Sequence, residues 1–373
     1  MKQLMNTQMN RTLVRGLLGA ALVLVSTQAM MADDDDTSRQ FLPNPSVSAS
    51  TVPTNGDVNP YGVAFVPEGF PSGGTISPGD ILVSNYNNGA NLQGTGTTIV
   101  RIQANGQTSL FYQEVPGPLQ GLSTGLSVLK AGLVIVASMP TVDGTSATIQ
   151  PGSILVLNSS GVPVADFSDP VMIQGPWDTT VSEKGNSVQI FISNALTGTI
   201  SRLDCTLGSH GQPLFLQNKV QIGSGYMHRG DPAALVVAPT GLVYDATKDV
   251  LYVASADDNE VFALPHAGTT SKDEGTGRIV YNDQTHLHGP LGMAMTPNGH
   301  LIVANADVIN GDVNQPSEIV EFTITGKFVG QLSVDKAQGG SFGLAVSTVN
   351  NVSRLAAVDD NTGTLTIWTL PQE

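Results

Sequence analysis

Few residues in this chain are of a type that does chemistry, and they lie far apart. One aspartate, Asp178, stands where five aligned positions (62, 125, 241, 292 and 343) carry glycine. A carboxylate in a place otherwise kept for glycine needs a cation, a donor or water beside it. Asp178 is therefore a candidate ligand for a metal or a small polar molecule. The six histidines are sparse. His286-Leu-His288 alternates, so both rings point one way if the stretch is extended. Two imidazoles need a third ligand to hold a transition metal, and His228 is a candidate. Surface or hydrogen-bonded histidines explain the same residues. His210, His266 and His300 fall in turns and read as solvent-facing.

A third set sits at the ends of short apolar runs: Asn85, Ser138, Asn194, Ser255, Asn305 and Asp359. Such residues either ring a ligand site or hydrogen-bond the turn that follows. Oxygen donors outnumber nitrogens here, which favours calcium over zinc for any bound metal, with Asp178, Asn194 and Asn305 as its ligands. Arg229 and Asp231 lie in the same stretch as His228. Trp177, beside Asp178, suits either stacking on a sugar ring or packing between elements. No Gly-x-Ser-x-Gly, Walker, zinc-protease or Cys-x-x-Cys motif occurs. The lone Cys205 excludes an intrachain disulfide and reads as a small buried hydrophobe.

The elements that position these residues are repeated. The stretches Pro60-Tyr-Gly-Val-Ala-Phe65, Thr124-Gly-Leu-Ser-Val128, Pro176-Trp-Asp-Thr-Thr-Val181, Thr240-Gly-Leu-Val-Tyr244, Leu291-Gly-Met-Ala-Met295 and Phe342-Gly-Leu-Ala-Val346 align. Each is followed by an apolar run, from Ile81-Leu-Val-Ser-Asn85 to Leu355-Ala-Ala-Val-Asp359. The aligned positions 62, 125, 178, 241, 292 and 343 are 51 to 63 residues apart. A period near 50 residues with about four strands per period describes propeller blades. Third strands start near 99, 153, 199, 260, 318 and 364, and fourth strands occur in the first five units only. The sixth blade would then have a bare edge. The unassigned residues 44–52 are expected to supply its outer strand. The expected fold class is all-β: a six-bladed β-propeller closed by an N-terminal strand completing blade six.

Composition agrees. The chain has 41 Gly and 22 Pro, and only 13% of its residues are charged, as in a strand-and-turn protein. Residues 1–32 read as a signal peptide. Lys2, Arg11 and Arg15 precede an apolar stretch of about ten residues, too short to span a bilayer of roughly 30 Å. Cleavage after Ala29 or Ala32 fits. Residues 33–43 form a polar linker that opens with four aspartates, and 44–373 the propeller. A periplasmic or secreted location is expected, with no membrane span after cleavage. The net charge of −15 repels phosphate backbones, so nucleic acid is not an expected partner.

Gly-Pro-x-Gly-Leu-Ala followed by Leu-Tyr-Val-Ala, with Asp257-Asp-Asn-Glu-Val-Phe262 and Asp360-Asn-Thr-Gly-Thr-Leu365, resembles the NHL repeat over residues 60–370. This resemblance implies the fold, while such propellers include enzymes, ligand binders and scaffolds. Two similar enzyme groups are the gluconolactonase and paraoxonase-like group and the streptogramin lyases, the latter matching around Gly175-Pro-Trp-Asp178. The first group holds an axial calcium with Glu, Asn and Asp. Here the turn that would carry its Glu reads Pro60-Tyr-Gly62, and its Pro-Asn-Asp motifs are absent.

The second-strand ends and inter-blade loops of such a propeller share one face. Asn85, Asp178, Asn194, His228, His288, Asn305 and Asp359 are expected to bind a ligand there, and the long loops 87–97, 140–152 and 307–316 to form a rim. The expected function is binding of a small or extended polar molecule, or of an extracellular or periplasmic protein, by a monomer. The alternative is a cation-dependent, lactonase-like hydrolase or lyase at the same face, with calcium as the cofactor.

Overall fold

A computed structural model describes residues 44–115, 121, 124–208 and 214–370. The signal-peptide and linker assignments and His210 lie outside the described residues. Short β-branched runs between Gly, Asn and Asp turns favour strands over helices. The described chain is accordingly all-β, with one 3-10 turn at Ser146–Thr148. No helix among the described residues is long and apolar enough to cross a membrane.

Six four-stranded antiparallel sheets form the blades. Their inner strands are Val58–Phe65, Leu126–Leu129, Pro176–Lys184, Pro239–Asp245, Pro290–Met295 and Ser341–Val349. Each inner strand packs against the next, and the last packs against the first, so the ring closes. The sixth sheet takes its outer strand from Asn44–Ser50, which pairs antiparallel with Thr364–Thr369. The strand seals the junction of blades six and one as well. Thr108 Oγ1 of blade one donates to the Ser50 carbonyl at 2.8 Å. Asn85 Nδ2 donates to the Thr51 carbonyl at 3.0 Å.

Second strands such as Ile81–Asn87 are buried along their whole length, because both faces pack on neighbouring blades. The core is thus a series of inter-blade layers, for example Ile135, Ile154, Ile190 and Leu203 between blades two and three. Cys205 lies in that layer, 1% exposed. Burial and Asp204 push its thiol up to about 12, which keeps it unreactive.

The inner-strand glycines have a steric cause. A methyl on Gly62 would collide with the Thr124 carbonyl oxygen, one on Gly241 with that of Leu291, and one on Gly292 with that of Phe342. A methyl on Gly343 would strike the Tyr61 carbonyl oxygen across the last junction of the ring. The obstacle is backbone and cannot rotate away. Gly343→Ala is expected to destabilise the fold by about 3 kcal/mol or more, read as a lowered urea midpoint. An unchanged midpoint would mean that the blades are free to separate there.

The spacing of the repeats does not reveal a small hairpin between blades three and four, Arg229–Asp231 paired with Leu235–Val237.

Candidate functional site

The inner strands enclose an axial channel of about 260 Å³. Three of them are largely buried at their starts and half-buried toward their ends, from Thr180 in blade three, Val243 in blade four and Ala345 in blade six. The channel therefore opens where the inner strands finish. Its lining is small or apolar, including Ala64, Ser127, Thr180, Ala294 and Ala345. Among the lining residues Asp178 is the one carboxylate.

Asp178 sits near the closed end of the channel. Its Oδ1 accepts the Thr179 amide at 2.8 Å, and its Oδ2 accepts the Leu242 amide of blade four at 3.0 Å. Its own amide donates to Ser193 Oγ at 3.0 Å, which donates in turn to the Thr240 carbonyl at 2.7 Å. Gly62, Ser84 and Thr124 make the same relay at the junction of blades one and two. The carboxylate thus stitches blades three and four where glycine alone could not. Part of its surface faces the channel, but desolvation by the surrounding protein dominates and raises its pKa to about 7, against the two amide bonds that lower it.

The opposite end of the axis is roofed. The residues just before the inner-strand glycines include Tyr61, Leu291 and Phe342, and Trp177 takes the matching place before Asp178. They pack with Leu235 and Val236 of the extra hairpin and with Tyr86. Trp177 Nε1 donates to Tyr61 Oη at 2.5 Å, and the two rings meet edge to face with centroids 5.5 Å apart. Burial and the nearby Asp178 hold the Tyr61 phenol well above its usual range. The long loops meet above this plug. Thr141 Oγ1 donates to the Gln93 carbonyl at 2.6 Å, and Gln93 Nε2 donates to the hairpin's Ala233 carbonyl at 2.5 Å. Arg229 ties the hairpin to Asp257 at 2.9 Å and also pairs with Asp231 within it.

The strand-end residues lie on this roofed face, away from the channel. Asn85 bonds Thr51 and Thr98. Asn194 accepts the Gln174 amide and donates to Ser201 Oγ. Asp359 takes the Asn361 amide and the Thr362 hydroxyl. Ser138 donates to the Gly121 carbonyl and Ser255 to Asp258. Asn85 ties the closing segment to blade one, and the others fasten neighbouring loops and strands. The structure does not gather them with Asp178 into one shell.

The histidines separate too. Residues 283–287 turn on Asp283, whose carbonyl accepts the amides of His286 and Leu287. The two rings of His286-Leu-His288 therefore do not share a side. His286 pairs with Asp283 at 2.5 Å and stacks on Phe328, while His288 is buried beside Asn305, Asp307 and Glu318. His228 rests on the Tyr226 carbonyl at 3.1 Å. His300 is 4% exposed and bonded to Glu321 at 2.7 Å, which corrects the expectation of a solvent-facing ring. His266 is exposed as expected.

Sequence reasoning missed Tyr61 as a plug residue and Asp307 and Glu318 as site residues. One signal was present for Glu318. Four of the six third strands open with Thr or Ser at that place (98, 153, 199 and 364), and an acid there precedes a wholly buried strand.

Compared by sequence, the chain matches no family profile and no curated protein. Compared by structure, it is similar to a gluconolactonase from Xanthomonas campestris, with TM-score 0.51 and 12% identity over 89% of this chain and 99% of that one. It is also similar to a calcium-binding protein, regucalcin, from Agrobacterium tumefaciens, with TM-score 0.50 and 12% identity over 87% and 95% of the two chains. At that identity the likeness is one of scaffold, and the chain is a six-bladed β-propeller of the architecture those proteins share.

Proposed function

We propose that the protein is an exported propeller that binds a small polar molecule in its axial channel, with Asp178 as the anchoring group. The observation that carries this reading is a lone carboxylate near the closed end of a channel whose lining is otherwise uncharged. Its oxygens keep lone pairs beyond the two amide bonds they accept. An ammonium, guanidinium or hydroxyl group fits that end, and Ser127 and Thr180 along the lining suit a polar molecule. Export rests on the N-terminal charge and hydropathy pattern. A lactonase-like hydrolase draws support from the fold of the gluconolactonase. Axial metal chemistry needs several ligands, however, and this channel lining offers one carboxylate, so binding is the better-supported reading.

The test is calorimetry and thermal shift on the mature chain at pH 8, where Asp178 is ionised. The panel is small alkylammonium and guanidinium compounds, polyols and lactones. At least one cationic compound is expected to bind, about tenfold more weakly to Asp178→Asn and not at all to Ala345→Leu, which fills the channel. A ligand indifferent to both changes would place binding elsewhere.

A further inference from the structure

We infer that blade five carries a separate site for one first-row transition-metal dication, with His288, Asp307 and Glu318 as its protein ligands. Three segments supply them. His288 lies in the loop before Pro290–Met295, Asp307 lies two residues past the end of Leu301–Asn305, and Glu318 opens Glu318–Phe322. Their donor atoms lie within 4.8 Å of one another. His288 Nδ1 is 3.4 Å from Glu318 Oε1 and 3.9 Å from Asp307 Oδ1. Ligands about 2.0–2.2 Å from a tetrahedral ion stand about 3.4 Å apart, so the three atoms need only a small inward adjustment to share one.

Burial makes the arrangement pointed. The side chains of His288, Asp307 and Glu318 are 3%, 3% and 0% exposed. His288 Nδ1, Asp307 Oδ1 and Glu318 Oε1 are all buried without a hydrogen bond. One such atom is a rarity in a native interior, and three converging atoms call for a common partner.

The second carboxylate oxygens of Asp307 and Glu318 are engaged, which fixes where the free ones aim. Asp307 Oδ2 accepts the amides of Ser317 at 2.9 Å and Gly339 at 2.8 Å. Asn305 Oδ1 accepts the His288 amide at 3.1 Å, and Asn305 Nδ2 donates to Glu318 Oε2 at 3.4 Å. Such outer contacts are how metal ligands are oriented. Asp307 and Ser317 hold φ angles of 57° and 51°, a left-handed conformation that non-glycine residues rarely adopt and that clusters at functional sites.

The rival occupant of this space is a proton on His288, giving a buried triad with no ion. It leaves each contact outside hydrogen-bond geometry and two dry carboxylates around one imidazolium. A dication balances both carboxylates at once. Its class follows from the donors. Calcium takes six to eight oxygens, whereas one imidazole with two carboxylates in a tight cage suits zinc and its first-row neighbours.

The mature chain, stripped with a chelator, should bind one Zn²⁺ by calorimetry, with a raised melting temperature. Glu318→Gln and Asp307→Asn should each weaken binding at least 100-fold. X-ray absorption of the Zn²⁺-loaded wild type should show one imidazole in a nitrogen and oxygen shell, a readout that needs no variant to fold. Absence of Zn²⁺, Co²⁺ and Mn²⁺ binding to folded wild type would overturn the site. Zn²⁺ binding that both variants leave intact would do the same. Ca²⁺ binding in preference to Zn²⁺, abolished by Glu318→Gln, would overturn the assigned class.

Discussion

A chain lacking residues 41–54 is expected to lose its cooperative fold. The deletion strips the ladder from Thr364–Thr369, whose registered partners run from Asn44 to Ser50. It also removes Thr51, which donates from both its amide and its hydroxyl to the Gly363 carbonyl. Val47 and Ala49 leave the layer that they share with Leu365, Ile367 and Ile102. At about 1 kcal/mol for each lost hydrogen bond, with the apolar contacts in addition, the loss exceeds about 5 kcal/mol. That is comparable to the whole stability of an ordinary domain, roughly 5–15 kcal/mol. The bare edge left behind invites pairing with other chains. Urea denaturation should show no native baseline, and size exclusion should show aggregates. A synthetic peptide of residues 44–52 should restore part of the transition. A monomeric truncation with the parent midpoint would contradict closure by this strand.

Stability should also fall as pH rises from about 4 to about 7. A solvated aspartate titrates near 3.8, and burial in the folded protein raises Asp178 to about 7. Between those values the native state holds a proton that the unfolded state has released, so rising pH favours unfolding. Asp360, raised to about 7 by burial and by Asp359, acts in the same direction. A three-unit shift corresponds to about 4 kcal/mol as an upper bound, reduced here because the channel admits water. The unfolding free energy at pH 8 is therefore expected to lie roughly 2–4 kcal/mol below its value at pH 4.5. Asp178→Asn loses one amide acceptor but should flatten about half of that slope. A variant that keeps the full slope would show that Asp178 is ionised in the fold or does not govern it.

The fold was legible because its constraint is local and repeated. Close approach at the axis demands glycine at 62, 125, 241, 292 and 343, and the same demand makes the exception at 178 visible. Closure followed from counting strands, since five complete sheets and one short of a strand leave residues 44–52 a single place to go.

The sites were harder to read. An asparagine at a strand end looks the same in sequence whether it faces a ligand or the protein's own backbone, and Asn85 and Asn194 bond the backbone of Thr51 and Gln174. The roof depends on Leu235, in a hairpin that falls outside the repeated units and so carries no repeat signal. His288 was singled out, but its partners are 19 and 30 positions further along. Their meeting depends on the path of a loop through the unusual turns at Asp307 and Ser317, which residue types alone do not encode.

Sharing one sheet between Asn44–Ser50 and Thr364–Thr369 also orders the events of folding. The earliest structured segment must wait for almost the last one, so the contact with the greatest sequence separation is also among the final ones to form. During vectorial synthesis, five sheets can stack while the clasp stays open. The nascent chain therefore carries an unsatisfied edge until Thr364–Thr369 emerges, the interval in which a holding chaperone would matter most.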